Sequence, residues 1–123
     1  MAGRRILNNI YYKYFKGNKY LVLGTTTSIK DRHNKRIKYI GYGYHTEKEK
    51  EYFVYKVYQN KYLILDTDSK PLKGPHIVYQ DKKGKIYIKP YRLFISKVDH
   101  DKYPDINNDY IFEIDPKGDE EDE

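Results

Sequence analysis

The sequence predicts a mainly β protein that folds as one small domain, either a small barrel or a strongly bent antiparallel sheet. Three observations lead to this expectation. The chain has 123 residues, which is enough for one hydrophobic core. Its uncharged residues are dominated by strand-forming types, and 16 of them are Tyr. The apolar runs are short and are separated at close intervals by polar turns, as in small all-β folds.

The chain begins with the one stretch that favours a helix. Residues 4–14 place apolar side chains at helical spacing, so at most a short N-terminal helix is predicted there. The later segments alternate or are rich in β-branched and aromatic residues, and polar turns at residues 59–61 and 81–85 are predicted to close two hairpins. The predicted strands are residues 19–24, 36–44, 52–58, 62–67, 76–80, 86–89, 92–98 and 110–114.

The predicted strand at residues 36–44 alternates with period two. This alternation places Tyr39 on one face and both Tyr42 and Tyr44 on the other. Gly41 and Gly43 interrupt the strand, and glycine within a strand indicates a bulge or a close approach of another backbone.

Charge is distributed unevenly along the chain. Residues 1–98 have an excess of 15 positive charges, whereas residues 99–123 have an excess of nine negative charges. We predict a single basic β domain over residues 1–114 and an acidic, disordered tail over residues 115–123. Tails of this kind are usually solvated. The alternative is that the tail mimics phosphate and screens the basic body until a partner displaces it.

Composition excludes several classes of protein. The chain has no Cys, so it has no disulfide framework, thiolate zinc site or cysteine nucleophile. No apolar run approaches the 18 residues of a membrane span, and the first ten residues lack the apolar core of a signal peptide. We therefore expect a protein of the cytoplasm that does not enter the membrane.

Catalytic chemistry has little support in the sequence. Asp66 and Asp68 flank one residue at a strand end, and Asp99, Asp101 and Asp105 lie together in a loop. Such residues typically cap turns, and a hydrolase or a metal enzyme built on them is the weaker hypothesis. The four His have no metal-ligand spacing, and no phosphate-binding loop or nucleophile motif is present. A non-enzymatic protein without a catalytic residue, metal or cofactor is predicted.

Three segments resemble a known family of small bacterial and phage proteins. Residues 14–23 read YFKGNKYLVL, and residues 77–80 (IVYQ) are followed at residues 84–94 by GKIYIKPYRLF. Residues 45–55 contain a His-Thr-Glu turn before a Val-Tyr pair. These motifs are similar to the opening, closing and turn motifs of the family known as domain of unknown function 1653. The resemblance implies an SH3-like barrel and brings no known activity.

The chain also departs from the family pattern. Tyr87 stands where the family has Trp, and Lys89 stands where it has Arg. The chain is about twice the family's typical length, which requires insertions within residues 25–76. Both Val54-Tyr55 and Val78-Tyr79 fit the same family strand, and the sequence leaves the choice open.

A basic turn beside alternating rings is the strongest binding signal. Arg32 and Arg36 lie in the turn, Lys38 follows them, and Tyr42 and Tyr44 share one face of the next strand. Cations contact phosphates and rings stack on bases, so these five residues form the predicted ligand-binding site. The Lys-rich turn at residues 82–85 is interpreted as a solvated hairpin end.

Two functional hypotheses follow. In the first, the basic, Tyr-rich barrel binds an anionic ligand, either a nucleic acid or a nucleotide-type signal. In the second, the protein is a small phage-encoded inhibitor that acts in the host cytoplasm on a host or defence protein, since Tyr-rich surfaces make good protein interfaces. Exposed strand edges can pair with those of another copy of the chain, so a homo-oligomer is a further alternative.

Overall fold

The computed structural model describes residues 5–27 and 37–118. Within these residues the chain forms eight strands and one short helix. In chain order they are β1 (Tyr11–Tyr14), β2 (Lys19–Thr26), β3 (Lys38–His45), β4 (Lys50–Tyr58), β5 (Lys61–Leu65), β6 (His76–Gln80), β7 (Ile86–Pro90), α1 (Tyr91–Phe94) and β8 (Phe112–Ile114).

Six of the strands close into a barrel. Their order around the barrel is β2, β6, β7, β3, β4 and β5, and β5 returns to pair with β2. The predicted mainly β class and small barrel are therefore confirmed, and the two predicted hairpins, β4–β5 and β6–β7, are both present. Two pairings, β2–β5 and β3–β7, are parallel, so the sheet is closed and mixed rather than purely antiparallel.

A glycine makes this closure possible. A Cβ atom at Gly24 would overlap the backbone carbonyl of Asn60, so only glycine lets β2 approach the β4–β5 hairpin this closely. The Thr25 amide donates a hydrogen bond to that same carbonyl, at 3.0 Å. The barrel is closed where these two segments meet.

Two large clusters of buried side chains hold the fold together, and a smaller third one contains Val57, Leu63 and Leu65. The barrel interior is filled by residues of four strands, namely Tyr52, Val54, Tyr62, Ile64, Val78, Ile86 and Ile88. A second core lies between the barrel wall and the elements β1, α1 and β8, and contains Tyr12, Val22, Ile77, Tyr79, Phe94 and Phe112. Both faces of β6 are buried, because it contributes to each cluster.

The stretch at residues 4–14, where at most a short helix was predicted, forms no helix within the described residues. Asn9 has a φ of +60°, which ends any helix at that point, and Tyr11–Tyr14 pair with β2 as a strand. The predicted strand at residues 92–98 is wrong, since within it only Lys97 forms an isolated bridge, to Tyr110. Pro90 ends the β7 ladder and α1 begins directly after it, with Phe94 buried in the second core.

A bulge in β3 corrects the predicted alternation. The register with β4 shifts between Tyr39 and Gly41, where Gly41 has a φ of +132° that favours glycine. Because of this extra residue, the side chains that follow the bulge point to the face opposite to the one that strict alternation predicts. Tyr39 and Tyr42, predicted on opposite faces, consequently lie on the same face.

The start of the acidic segment packs against the barrel. Asp115 is buried and its carboxylate lies 3.0 Å from the Lys19 ammonium, which is also buried. The Lys19 ammonium donates as well to the Gly118 carbonyl, at 3.5 Å. Residues 119–123, the rest of the predicted tail, lie outside the described residues. In the part of the chain that the structure describes, no helix has the length and apolar character needed to cross a membrane.

Candidate functional site

Four aromatic rings lie together on the outer face of β3 and β4. Tyr39 and Tyr42 belong to β3, whereas Phe53 and Tyr55 belong to β4. The register places Tyr42 opposite Phe53 and Tyr39 opposite Tyr55, and in each pair the ring centroids are 5.3 Å apart. Tyr39 also lies 6.5 Å from Tyr42 and 6.2 Å from Phe53. We call these four residues the ring platform.

The ring platform is open to solvent. Tyr42 is 57% exposed and Tyr39 is 47% exposed, whereas Phe53 and Tyr55 are half-buried. Desolvation and the phenols of Tyr42 and Tyr55 raise the pKa of Tyr39, so its hydroxyl stays neutral and does not repel an anion. Exposed rings fixed on a sheet can stack on nucleic-acid bases or pack against a protein.

A lysine extends this surface onto the next strand. Tyr44 lies two residues after Tyr42 and therefore points to the same side of β3. The parallel register places Tyr44 opposite Tyr87 of β7. The Lys85 ammonium lies 5.3 Å from the ring centroids of both Tyr44 and Tyr87. The ring-bearing surface thus continues from β3 to β7 and carries a positive charge there.

A groove lies beyond Tyr87, between two turns. Residues 17–20 form one side and residues 81–83 form the other, and the open groove between them has a volume of about 580 Å³. Tyr20 and Tyr87 line it, with ring centroids 5.8 Å apart. We call this feature the basic groove, because among the described residues the exposed Lys82 and Lys83 line it, together with Lys19, whose ammonium is paired with Asp115.

Asp81, the one acidic residue among the described residues that line the basic groove, is hydrogen-bonded within its own turn. Asp81 Oδ1 accepts the backbone N–H groups of Lys83 and Lys85, each at 2.9 Å. Asp81 Oδ2 accepts the hydroxyl of Tyr87 at 3.3 Å. This carboxylate therefore shapes the β6–β7 turn, and the exposed Lys82 and Lys83 extend from it.

The structure brings together two of the five predicted site residues. Tyr42 belongs to the ring platform and Tyr44 continues its surface. Lys38 is exposed, but alternation directs it away from the face that carries Tyr39, and it lies opposite Lys56 of β4. Arg32 and Arg36 lie outside the described residues.

Sequence reasoning missed several residues of this surface. Phe53 and Tyr55 were assigned only to a strand, although their period-two spacing matches an outward face once β4 is paired with β3. The turn at residues 82–85 was interpreted as a solvated hairpin end, and the structure shows that two of its lysines, Lys82 and Lys83, line a groove. The missing information was the pairing of strands that are distant in sequence.

The acidic clusters are used to cap turns. Asp66 Oδ1 accepts the amides of Asp68 and Lys70, each at 2.9 Å. Asp99 Oδ1 accepts the amide of Asp101 at 3.0 Å. Within residues 5–27 and 37–118, no group of three or more His, Asp or Glu side chains is arranged to hold a metal ion.

A pair of buried histidines lies inside the barrel at one end. The rings of His45 and His76 have centroids 5.1 Å apart. Nδ1 of His45 accepts the backbone amides of Glu47 and Lys48, at 3.2 and 3.1 Å, whereas its Nε2 has no hydrogen-bond partner among the described residues. Burial, His76 and Lys48 lower the pKa of His45 to about 4, so the ring is neutral at physiological pH.

Comparisons with known proteins do not add a function. No family model matches the chain, and neither a curated protein nor a solved structure matches it. The resemblance to domain of unknown function 1653 therefore stays a prediction. The two competing Val-Tyr pairs have the same orientation in the barrel, since Val54 and Val78 both point inward, so orientation does not choose between them.

Proposed function

We propose that this protein binds single-stranded nucleic acid through the ring platform and acts without catalysis. The observation that carries this proposal is a set of four contacting rings on an outer sheet face, of which Tyr39 and Tyr42 are about half exposed. Bases of a single strand offer their faces for stacking, whereas a duplex hides them. Single-strand binding proteins use such rings together with cations that follow the backbone.

One cation of the described residues lies beside the ring-bearing surface, where it can contact a phosphate backbone. Lys85 lies over the rings of Tyr44 and Tyr87. In the sequence, Arg32 and Arg36 precede β3.

Substitution of the most exposed ring tests this proposal. Tyr42→Ala should weaken binding of a fluorescein-labelled ten-nucleotide single strand by about 5- to 150-fold, because stacking contributes about 1–3 kcal/mol per base. Tyr42→Phe keeps the ring and should bind within about twofold of the parent protein. The measurement is fluorescence anisotropy at low salt.

The matched control is Tyr58→Ala. Tyr58 is 45% exposed and lies at the far end of β4, outside the ring platform. It should leave binding unchanged. If Tyr42→Ala and Tyr58→Ala have equal effects, the ring platform is not the binding site.

A protein partner is the second candidate function. Exposed Glu51 lies opposite Tyr44 on β4, so the surface is not uniformly basic. Exposed Tyr side chains provide large contact area with few rotatable bonds, which suits an inhibitor of a host or defence protein. This function is favoured if no single strand binds and a purified partner forms a complex that Tyr42→Ala weakens and added nucleic acid does not.

A further inference from the structure

We infer that the basic groove is a second nucleotide subsite, and that one single strand occupies the ring platform and the basic groove together. This inference rests on the proposed function, because it describes how the same ligand continues beyond the ring platform. It implies that the ligand is an oligonucleotide strand rather than a mononucleotide.

The basic groove has the chemistry of a phosphate-and-sugar site. Lys82 and Lys83 provide ammonium groups, and the carboxylate of Asp81 is held by the backbone of its own turn. The opposite wall also carries polar groups. There the Asn18 amide donates a hydrogen bond to the Tyr20 hydroxyl at 3.4 Å, and both residues line the groove. Its volume, about 580 Å³, lies within the usual range of small-ligand sites, about 300–1,000 Å³.

The two subsites are joined by a continuous surface. From Tyr42 the ring-bearing face passes to Tyr44, two residues along β3, and then across one strand spacing to Tyr87. Tyr87 belongs both to this face and to the lining of the basic groove. Lys85 lies over Tyr44 and Tyr87, at the point where the strand would cross from one subsite to the other.

Two subsites on one ligand make affinity depend on strand length. A strand too short to reach both subsites uses one of them, whereas a longer strand binds the second subsite as an intramolecular step with a high effective concentration. Single-strand sites on small barrels span about 4–16 nucleotides. We therefore expect a ten-nucleotide thymidine strand to bind at least about tenfold more tightly than a three-nucleotide strand.

The test compares two charge-matched double variants. Lys82→Gln/Lys83→Gln removes two charges from the basic groove, and the backbone of its turn is unaffected because Asp81 accepts main-chain N–H groups. Lys70→Gln/Lys73→Gln removes two exposed charges from the loop at the opposite end of β6. Urea unfolding establishes that each variant is folded, and anisotropy is measured for both strand lengths across a salt series.

The groove variant should lose most of the affinity that the ten-nucleotide strand gains over the three-nucleotide strand. For the long strand, the slope of the log binding constant against the log salt concentration should become less steep by about 1.4, because each phosphate contact on a single strand contributes about 0.7. The loop variant should keep the length dependence and most of the slope. Equal behaviour of the two variants would overturn the inference. If Tyr42→Ala still weakens binding in that case, the ring platform stands without the second subsite. If the parent protein binds neither strand, both proposals fail.

Discussion

His45 is a titratable residue placed where its charged form is unfavourable. Its pKa is lowered to about 4, first by burial and then by His76 and Lys48, while Glu47 opposes this shift. An unfolded His titrates near 6.5. Between these two values the unfolded chain binds more protons than the folded chain, so acid favours unfolding in this range. The contribution of His45 to stability is complete above about pH 6.5 and is lost by about pH 4.

We predict that the free energy of unfolding, measured with urea, falls between pH 7 and pH 5 by about 2 kcal/mol because of His45. His76 contributes in the same direction, since burial lowers its pKa as well. His45→Asn keeps a side-chain acceptor for the amides of Glu47 and Lys48 but does not titrate, so it should show a smaller loss over this range. An identical loss in His45→Asn would show that His45 is not the group responsible.

At the residue level, the sequence predicted part of the candidate site. Tyr42 and Tyr44 lie on a common outward face as expected, because the bulge precedes both of them. Tyr39 was assigned to the wrong face, because a period-two pattern does not show where the extra residue of a bulge is placed. Gly41 indicated the irregularity, but not which side chains it would bring together.

At the level of elements, local patterns predicted hairpins better than helices. The β4–β5 and β6–β7 hairpins have polar turns between residues with strong strand preference, and both form. The segments around β1 and α1 are too short for periodicity to separate helix from strand. Their structure is decided by the second core, in which Tyr12 and Phe94 are fully buried and their rings meet at 5.8 Å.

The contact between β2 and the segment after β8 depends on a buried ion pair. The Lys19 ammonium and the Asp115 carboxylate are 3.0 Å apart, and both side chains are less than 10% exposed. Removing one partner leaves the other charge buried, which typically costs about 3–5 kcal/mol. We predict a loss of this size in the free energy of unfolding of Lys19→Met, measured with urea.

The double variant Lys19→Met/Asp115→Leu provides the control. It removes both charges and replaces them with apolar groups, so it should be more stable than Lys19→Met alone. If the loss in the free energy of unfolding of the double variant equals the sum of the losses of Lys19→Met and Asp115→Leu, the two charges do not stabilise each other.

At the level of the whole molecule, a basic body is joined to an acidic end. The last five residues, 119–123, are all acidic, and they follow Gly118, whose carbonyl accepts from Lys19. Lys19 also lines the basic groove. We predict that these acidic residues compete electrostatically with a polyanion for the lysines of the groove. Removal of residues 119–123 should therefore strengthen single-strand binding at low salt, and it leaves the Lys19–Asp115 pair in place.

The most direct test of single-strand binding is fluorescence anisotropy of the full chain and of residues 1–118. Both are titrated with a labelled ten-nucleotide single strand and with a duplex of the same length, at 50 and 200 mM salt. We expect preference for the single strand, at least about tenfold weaker binding at the higher salt, and tighter binding by residues 1–118. If neither protein binds the single strand at 50 mM salt, or if the duplex is preferred, the ring platform is not a single-strand binding surface.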